Sequence, residues 1–519
     1  MSTPSVTRRI AQASGIVMAS VLVSRLLGFL REWTVAHQIG ANAITDTYYA
    51  AFTLPDFLNY LVTGGSLSLT FIPVFAQYLA EKREEEGWHI FSTVFTFMGL
   101  VLLGLVGVAE IFAPQLVSLI APGFAPAQKA RVVFLTRVML PAQVCFTLGS
   151  ILSAVQYAKA QFVVPSLAPV IYNLGVITGG VLLSPYIGIT GFAVGVVAGA
   201  TAGNLLLQVY GARRAGARFT PNLNLRHPGF ILFLKLSIPV MLALSLAFTD
   251  DWIIRWFGSY LVPASITWLS YAKTLMRVPL GVVGHAIGVA SFPFLARLYS
   301  EGRGEELNRA VNSTTKGLIL LLVPISALTI AQSSPLVHFV FSHTRLQGPD
   351  YDATAATLAV FSLGMWAWGL LNILARGFYA TQDTLTPAIV GTGLTFLTLP
   401  LYWALVRAHE HLGLALASSL GIMLYAVVLF ILFTRRTRNP ETAGLVWFFL
   451  KITAASAVAG FACFHLTRWL GVQIGWQTTA RAFVVLVIVS TAGFLLTAIL
   501  AKLLRVREID DCVKKVAAW

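Results

Sequence analysis

Two arginines lie in one otherwise apolar stretch near the N-terminus, within Ser24-Arg25-Leu26-Leu27-Gly28-Phe29-Leu30-Arg31-Glu32. An arginine at the centre of a membrane helix costs about 2.5 to 3.5 kcal/mol on insertion scales, so two in one span predict an anion or a water-filled cavity beside them. The six-residue separation is about 9 Å along a helix axis. Both forked side chains could therefore bind one phosphate group. The alternative is snorkelling, in which both guanidinium groups reach the membrane interface.

A second basic pair, Lys273 and Arg277, is four residues apart, so both side chains share one face of a helix. For such charges an internal cavity is a better environment than lipid. This spacing predicts a second cationic contribution to an anion site. The alternative for Arg277 is again snorkelling.

Acidic and amide groups also fall inside predicted spans. Asp250 and Asp251 precede Arg255 in one span, and Asn372 precedes Arg376 in another. An acidic pair within a membrane could bind a monovalent coupling cation or a proton. An internal ion pair with Arg255 or Arg376 explains the same residues, and both interpretations stay open.

No motif in the sequence supports catalysis. A glycine-rich phosphate loop with Lys-Ser/Thr is missing, which argues against ATP hydrolysis. Cys145, Cys463 and Cys512 are far apart in the chain, and no His-rich spacing suggests a metal site. We therefore expect a protein that is not an enzyme and that holds neither a metal nor an organic cofactor.

The composition is that of a membrane protein. Hydrophobic residues make up 57% of the chain and charged residues 11%, against about 25% charged residues in a typical soluble domain. The mean hydropathy is +0.78. The formal net charge of +15 fits attraction to the anionic inner leaflet of a membrane rather than to nucleic acid.

The predicted fold class is therefore an all-α polytopic membrane protein with about fourteen spans of roughly 20 or more residues each. The predicted spans lie near residues 10–37, 45–79, 88–111, 131–159, 164–185, 187–210, 230–260, 266–298, 311–331, 353–381, 384–405, 412–433, 446–469 and 478–503. An even number of spans puts both termini on one side of the membrane. Lysines and arginines concentrate in the loops on that side, which the positive-inside rule assigns to the cytoplasm.

Two sequence echoes indicate an internal repeat. Phe71-Ile72-Pro73-Val74-Phe75 with Glu81 returns about 220 residues later as Phe292-Pro293-Phe294 with Glu301. Gln156-Tyr157-Ala158 returns at nearly the same offset as Phe378-Tyr379-Ala380. The repeat predicts two six-helix lobes, residues 1–220 and 221–440, related by an axis along the membrane normal, with a binding site between them. Residues 441–519 would add two helices and a basic cytoplasmic tail.

The residues resemble a known family. The stretch from Ser24 to Glu32 resembles the opening of the MurJ (MviN) family of bacterial lipid II flippases, in the multidrug/oligosaccharidyl-lipid/polysaccharide exporter superfamily. The resemblance continues through Ile39-Gly40-Ala41, Thr45-Asp46, Ala51-Phe52, Leu54-Pro55, Phe71-Ile72-Pro73 and Gly377-Phe378-Tyr379-Ala380-Thr381-Gln382-Asp383-Thr384-Leu385-Thr386-Pro387.

This resemblance implies transport of the undecaprenyl-pyrophosphate-linked peptidoglycan precursor, lipid II, across the bacterial cytoplasmic (inner) membrane for cell wall synthesis. It implies alternating access, with coupling to the membrane potential or to a monovalent cation, and membrane lipids and proteins of wall synthesis and division as further partners. Within the matching motif, Asp46 is a site residue that positions Arg25 or Arg31. The alternative is a helix N-cap formed with Thr45.

The sequence departs from the family at two places. Relatives usually carry a pair of arginines where this chain has Asn59 and Tyr60, and an arginine where it has Thr274. Lys273 and Arg277 are the nearest residues that could replace the missing charge. The alternative function is export of another lipid-linked oligosaccharide, or of a drug with the acidic pair as counter-ion. A membrane glycosyltransferase would require a soluble domain, for which no predicted loop is long enough.

The charge asymmetry between loops yields a testable topology. In a variant without the three native cysteines, a cysteine at Ala217 or at Thr437 should react with a membrane-impermeant reagent only from the cytoplasm. A cysteine at Gln347 should react only from outside. Labelling of Ala217 and Gln347 from the same side would contradict the fourteen-span topology.

Overall fold

The computed structural model describes residues 6–62, 66–245, 249–506 and 508, with the backbone alone for residues 6–14, 16, 66–69, 239–245, 249 and 283–293. Regular structure in these residues is helical throughout and includes no strand, which confirms the predicted all-α fold. The chain divides into two compact units, unit 1 (Met1–Ala264) and unit 2 (Ser265–Trp519). The lobe boundary at residue 220 stays a prediction. Residues 507 and 509–519 of the predicted tail lie outside the described residues.

Unit 1 is built from thirteen described helices. Proline interrupts several of them, and the α10 helix continues through a π-helical segment, Ala200–Leu206, into α11. The helices are α1 (Val6–Gln38), α2 (Ala43–Ala51), α3 (Thr53–Val62), α4 (Ser66–Ala80), α5 (Glu84–Ile111), α6 (Ala113–Ile120), α7 (Pro126–Met139), α8 (Ala142–Ala158), α9 (Val163–Ile187), α10 (Thr190–Gly199), α11 (Leu207–Arg214), α12 (Pro228–Ser245) and α13 (Thr249–Gly258).

Unit 2 is built from eight described helices, of which the last two pack against α15 and α16 rather than standing apart. These helices are α14 (Ser265–Ser300), α15 (Gly304–Ala331), α16 (Ser333–Phe341), α17 (Gly348–Leu363), α18 (Met365–Ala380), α19 (Leu385–Arg436), α20 (Thr442–Gln473) and α21 (Thr479–Leu503). The α19 helix is interrupted at His409 and Glu410, where the backbone is non-helical, so it has the length for two crossings.

Many of these helices are long and apolar enough to span a membrane, where a helix satisfies every backbone polar group internally. Within the described residues eight helices meet this condition, or nine if α17 and α18, which meet at 42°, count as one bent span. The protein is therefore a multi-pass membrane protein. The predicted total of fourteen spans stays a prediction.

The internal repeat is visible in the backbone. Left-handed residues end corresponding helices at positions about 220 residues apart, in the pairs Gly40 and Ala264, Lys82 and Gly302, Ala160 and Gln382, Gly188 and Glu410, and Gly216 and Arg438. After three of these pairs the next amide bonds back five residues, as in Arg83 N to Tyr78 O (2.9 Å) and Arg303 N to Leu298 O (3.0 Å). This Schellman geometry closes the helix ends. The two halves thus end their helices at matching places.

The turn between α4 and α5 shows the same agreement in its side chains. Arg83 contacts Glu81 and Glu86 at 2.8 and 2.5 Å, and Arg303 contacts Glu301 and Glu306 at 2.8 and 2.6 Å. Hydrogen bonds from Gln77 and Arg83 lower the pKa of the Glu81 carboxyl below its ordinary value. These exposed pairs contribute little to stability, so they mark the duplication rather than hold the fold together.

Glycines allow α9 and α10 to lie in direct backbone contact. A Cβ at Gly175 would lie 2.4 Å from the Cα of Gly199, and a Cβ at Gly179 would lie 2.5 Å from the Cα of Gly195. The four-residue spacing of these glycines is typical of close helix pairs in membranes. Because the obstructing atoms are backbone, a side chain at Gly179 must push the helices apart.

We expect Gly179→Leu to destabilise unit 1 by about 1 to 3 kcal/mol, the usual cost of overpacking a close contact. Gly107→Leu is the matched control, since a Cβ at Gly107 meets nothing within 4 Å. Both changes raise helix propensity alike, so the difference in thermal-unfolding midpoint in detergent reports the packing cost. Equal midpoints for the two variants would contradict the close contact.

Candidate functional site

The Arg31 side chain is bound to its neighbour Glu32. The Arg31 Nη2 and Nε atoms donate to Glu32 Oε1 at 2.7 and 3.2 Å. Adjacent residues do not normally face each other on a helix, so both long side chains fold toward one another. Tyr49 of α2 donates its hydroxyl to the other oxygen, Glu32 Oε2, at 2.5 Å. Because both oxygens are used, the 8% exposed Glu32 is a fixed counter-charge for Arg31.

Asn173 of α9 connects this pair to a second helix. Its Oδ1 accepts from Arg31 Nη1 at 3.5 Å, and its Nδ2 donates to the Ser24 hydroxyl at 3.3 Å and to the Pro169 carbonyl at 2.9 Å. The side chain of Asn173 thereby bridges α1 and α9, which pack along each other. Arg31 is oriented by groups from three helices, α1, α2 and α9.

Arg25 differs from Arg31 in its surroundings. Its side chain is exposed, and in the part of the chain that the structure describes no ion pair involves it. The two predicted anion-binding residues therefore have different states: Arg31 is anchored by a carboxylate, and Arg25 is available to an incoming anion.

A second ion pair joins α13 to α3. Arg255 Nη1 lies 3.1 Å from Asp56 Oδ2 and 3.3 Å from the Thr53 hydroxyl. The side chains are 16% and 34% exposed. Arg31 and Asp251 are electrostatic neighbours of Asp56, so the two ion pairs belong to one network inside unit 1. The sequence analysis did not single out Asp56 as the partner of Arg255.

The acidic pair lies at the start of α13, where Asp250 and Asp251 are both half-buried. Each of these carboxylates takes part in further interactions. The predicted ion pair with Arg255 and the predicted cation or proton site both stay predictions. Negative charge in the first turn also favours the helix dipole, so the position of the pair on α13 suits the fold without a ligand.

The N-cap role considered for Asp46 belongs to a different residue. Asn42 precedes α2, and its Oδ1 accepts from the backbone amides of Ile44 and Thr45 at 2.9 and 3.2 Å. Asp46 is buried, and its Oδ2 accepts from the amide of Ala264 at 2.7 Å. Asp46 thus fixes the left-handed residue that ends unit 1. Its predicted role beside Arg25 or Arg31 stays a prediction.

In unit 2, Lys273 and Arg277 have different environments although they share one helix. Lys273 is 5% exposed, and its Nζ lies 5.9 and 5.8 Å from the ring centroids of Phe361 and Trp368. Such cation–π contacts stabilise a charge that has left water. Arg277 is exposed. Their joint role in substrate binding stays a prediction.

Asn372 and Arg376 lie one turn apart on α18. Asn372 Nδ2 donates to the carbonyl of Trp368 at 2.9 Å, which is a local bond within the helix. Arg376 Nη1 is buried, with no hydrogen-bond partner among the described residues. Their predicted role in ion coupling stays a prediction.

Sequence reasoning missed four side chains of the unit 1 network: Glu32, Tyr49, Asp56 and Asn173. Glu32 and Asp56 carried a signal, because each is a carboxylate inside an apolar span. Tyr49 and Asn173 carried none, since polar residues of these types are common in membrane helices. In the residues searched, no cluster of histidine, cysteine and carboxylate groups could hold a metal ion.

Multiple apolar helices, an internal repeat and a network of paired charges within the membrane define a polytopic membrane transporter. A family profile described as "Lipid II flippase MurJ" matches residues 35–478. The match spans most of the sequence, so the chain belongs to the MurJ family of lipid II flippases.

Individual relatives agree with this assignment. A lipid II flippase MurJ of Burkholderia cenocepacia is 27% identical over 470 residues, covering 89% of this chain and 90% of the relative. A probable lipid II flippase MurJ of Vibrio cholerae is 26% identical over 491 residues, covering 92% and 93%.

Two solved structures show the fold. A lipid II flippase MurJ in an inward closed conformation superimposes with a TM-score of 0.78 at 22% identity, covering 94% of this chain and 98% of that structure. An inward-facing multidrug resistance transporter of the MATE family superimposes with a TM-score of 0.62 at 15% identity, covering 81% and 98%.

We expect the ion pair between Asp56 and Arg255 to be coupled. Asp56→Asn or Arg255→Met alone leaves one partly buried charge without its partner and should cost about 1 to 3 kcal/mol, less than a fully buried pair. The double variant should lose much less than the sum, because it leaves no unpaired charge. Thermal unfolding of the detergent-solubilised protein measures these differences.

Arg309→Met is the control for this cycle, since its exposed contact with Glu305 at 3.3 Å should contribute little. Strictly additive losses in the double variant would show that Asp56 and Arg255 do not stabilise each other.

Proposed function

We propose that this protein translocates lipid II from the inner to the outer leaflet of the bacterial cytoplasmic membrane by alternating access, for cell wall synthesis. The observation that carries the proposal is the arginine–carboxylate network of unit 1, in a chain of the MurJ family. Both termini would face the cytoplasm, as the charge bias predicts. The protein would act as a transporter rather than an enzyme, without a metal or organic cofactor.

The charges of the network suit a pyrophosphate. Arg31 with Glu32 and Arg255 with Asp56 form two pairs that are each neutral, which reduces the cost of holding charge in the membrane. Arg25 has no such partner in the described residues. An incoming pyrophosphate would meet the uncompensated charge of Arg25 first, and the fixed guanidinium of Arg31 would then add a directed hydrogen-bond donor.

Arg255 supports the proposal where the sequence departs from the family. Its guanidinium reaches α3 at Thr53 and Asp56, one helical turn before Asn59 and Tyr60, where relatives carry arginines. We infer that a cation from α13 occupies the surface of α3 that a cation from α3 itself occupies in relatives. Lys273 and Arg277 stay candidate contacts for the same substrate, and Asp46 a candidate positioning residue.

The substrate is anionic, which supplies a driving force. An inside-negative potential of 100 mV favours outward movement of each net negative charge by about 2.3 kcal/mol. Coupling to a monovalent cation or proton through Asp250 and Asp251, or through Asn372 and Arg376, would add to this. Membrane lipids and proteins of wall synthesis and division are further candidate partners. The MATE likeness shows the fold alone, and no observation favours a drug as cargo over lipid II.

We expect Arg25→Ala and Arg31→Ala each to lower lipid II translocation at least tenfold, since each removes a cation from the head-group site. The variants should not complement a strain depleted of its own lipid II flippase. Lysine at either position should restore little, because it lacks the bidentate fork. An added enzyme that cleaves only outer-leaflet lipid II measures translocation directly.

The control is Arg468→Ala, which removes an exposed arginine that contacts the Phe464 ring at 5.1 Å and lies in the last third of the chain. Membrane-inserted amounts of each variant must equal those of the wild type. Normal growth and translocation in the Arg25→Ala, Arg31→Ala double variant would refute the cationic site, whereas failure of the wild type to complement would refute lipid II as cargo.

A further inference from the structure

A cavity of about 680 Å³ lies within unit 2 between the end of α19, the start of α20 and the neighbouring faces of α15 and α18. Its walls are almost entirely apolar, and large side chains such as Trp366, Phe430 and Phe449 form much of them. Two charged side chains, Arg435 and Arg438, also line it. We name this space the α19–α20 cavity. None of the proposed lipid II residues lines it.

Both arginines of the cavity are exposed, and within the described ranges neither forms an ion pair. Arg436, the residue between them on the helix end, behaves differently: its Nη1 contacts Asp383 at 2.5 Å, and it does not line the cavity. The carboxylate nearest in sequence, Glu441, is exposed and accepts a bond from Asn312 at 3.2 Å. The cavity mouth therefore carries positive charge without a counter-ion of its own.

The backbone that presents these arginines is fixed. Arg438 has a φ of +48°, and the next residue, Asn439, is buried in a reciprocal amide pair with Asn312 at 2.7 and 3.2 Å. The Oδ1 of Asn439 also accepts from the amide of Glu441 at 3.1 Å. These bonds hold the turn between α19 and α20 against α15. The charge therefore stays at one end of the apolar chamber.

An apolar chamber with two cations at one end fits an amphiphile that has apolar chains and an anionic head group. A soluble anion would make no use of the aromatic walls, and a neutral chain would make no use of the arginines. Basic pockets between membrane helices on the cytoplasmic side bind the head groups of anionic lipids, and the topology derived from the loop charges puts Arg435 and Arg438 on that side.

We propose that the α19–α20 cavity binds an anionic phospholipid of the cytoplasmic leaflet, with its phosphate at Arg435 and Arg438 and an acyl chain against Trp366, Phe430 and Phe449. The occupant would be a structural lipid that joins α20 to the rest of unit 2. It would be bound independently of the transported substrate.

The test is native mass spectrometry of the delipidated, full-length protein in detergent, titrated with phosphatidylglycerol or with phosphatidylcholine of the same acyl chains. The wild type should bind one phosphatidylglycerol at least tenfold more tightly than phosphatidylcholine. Arg435→Gln combined with Arg438→Gln should reduce this preference to less than twofold. Arg436→Gln, which removes the same charge from the same helix end but not from the cavity, should keep the wild-type preference.

A second variant tests the apolar part. Val446 lines the cavity from α20 and is 43% exposed, so Val446→Trp should fill the space with little effect on folding and reduce binding of both lipids at least tenfold. Thermal unfolding midpoints within a few degrees of the wild type confirm that each variant is folded.

Three results would overturn the proposal. Unchanged phosphatidylglycerol binding in the double arginine variant would place the lipid elsewhere. Tenfold tighter binding of undecaprenyl phosphate than of phosphatidylglycerol would assign the cavity to a polyprenyl chain. Displacement of bound phosphatidylglycerol by millimolar glycerol phosphate would reduce the site to an anion site without a lipid chain.

Discussion

The cost of placing a guanidinium inside a membrane governs the arrangement of unit 1. A charged arginine in an apolar span must find a counter-charge, water or a ligand. Arg31 finds Glu32 beside it on α1, and that carboxylate is in turn held by the hydroxyl of Tyr49. Asn173 ties the same group to α9. Helix packing and the electrostatics of the site therefore depend on one set of contacts.

The repeat explains how a second charged segment reaches the same unit. The α12 and α13 helices begin and end about 220 residues after α1 begins and ends, so they are its counterpart in the second half. Nevertheless, α13 falls within unit 1, where Arg255 contacts Asp56. Two corresponding helices thus both contribute charged side chains to unit 1, although their sequences have diverged.

The two halves share a backbone plan but not their chemistry. Matching left-handed residues end their helices, because chain geometry at a helix end constrains the backbone strongly. Side chains inside the spans are under no such constraint. At the repeat spacing Asn173, which bonds to Arg31, corresponds to Thr395, whose hydroxyl donates to Gly391 O within its own helix. The charge network is therefore a feature of unit 1 rather than of the duplicated fold.

Much of the fold followed from the sequence. Hydropathy identified the membrane helices because the bilayer acts on each segment separately, and two short echoes revealed the repeat. Arg25 and Arg31 stood out because a charge in an apolar span is anomalous wherever the rest of the chain lies. The motifs around them also predicted the family.

Only the tertiary structure decided which groups meet. Asp56 and Arg255 are 199 residues apart, and their contact depends on how α3 and α13 are rotated and shifted against each other. Asn42 rather than Asp46 caps α2 because the helix begins three residues earlier than Asp46. The α19–α20 cavity arises from four helices together. Sequence periodicity assigns a side chain to a helix face, but the partner on that face is set by packing between distant segments.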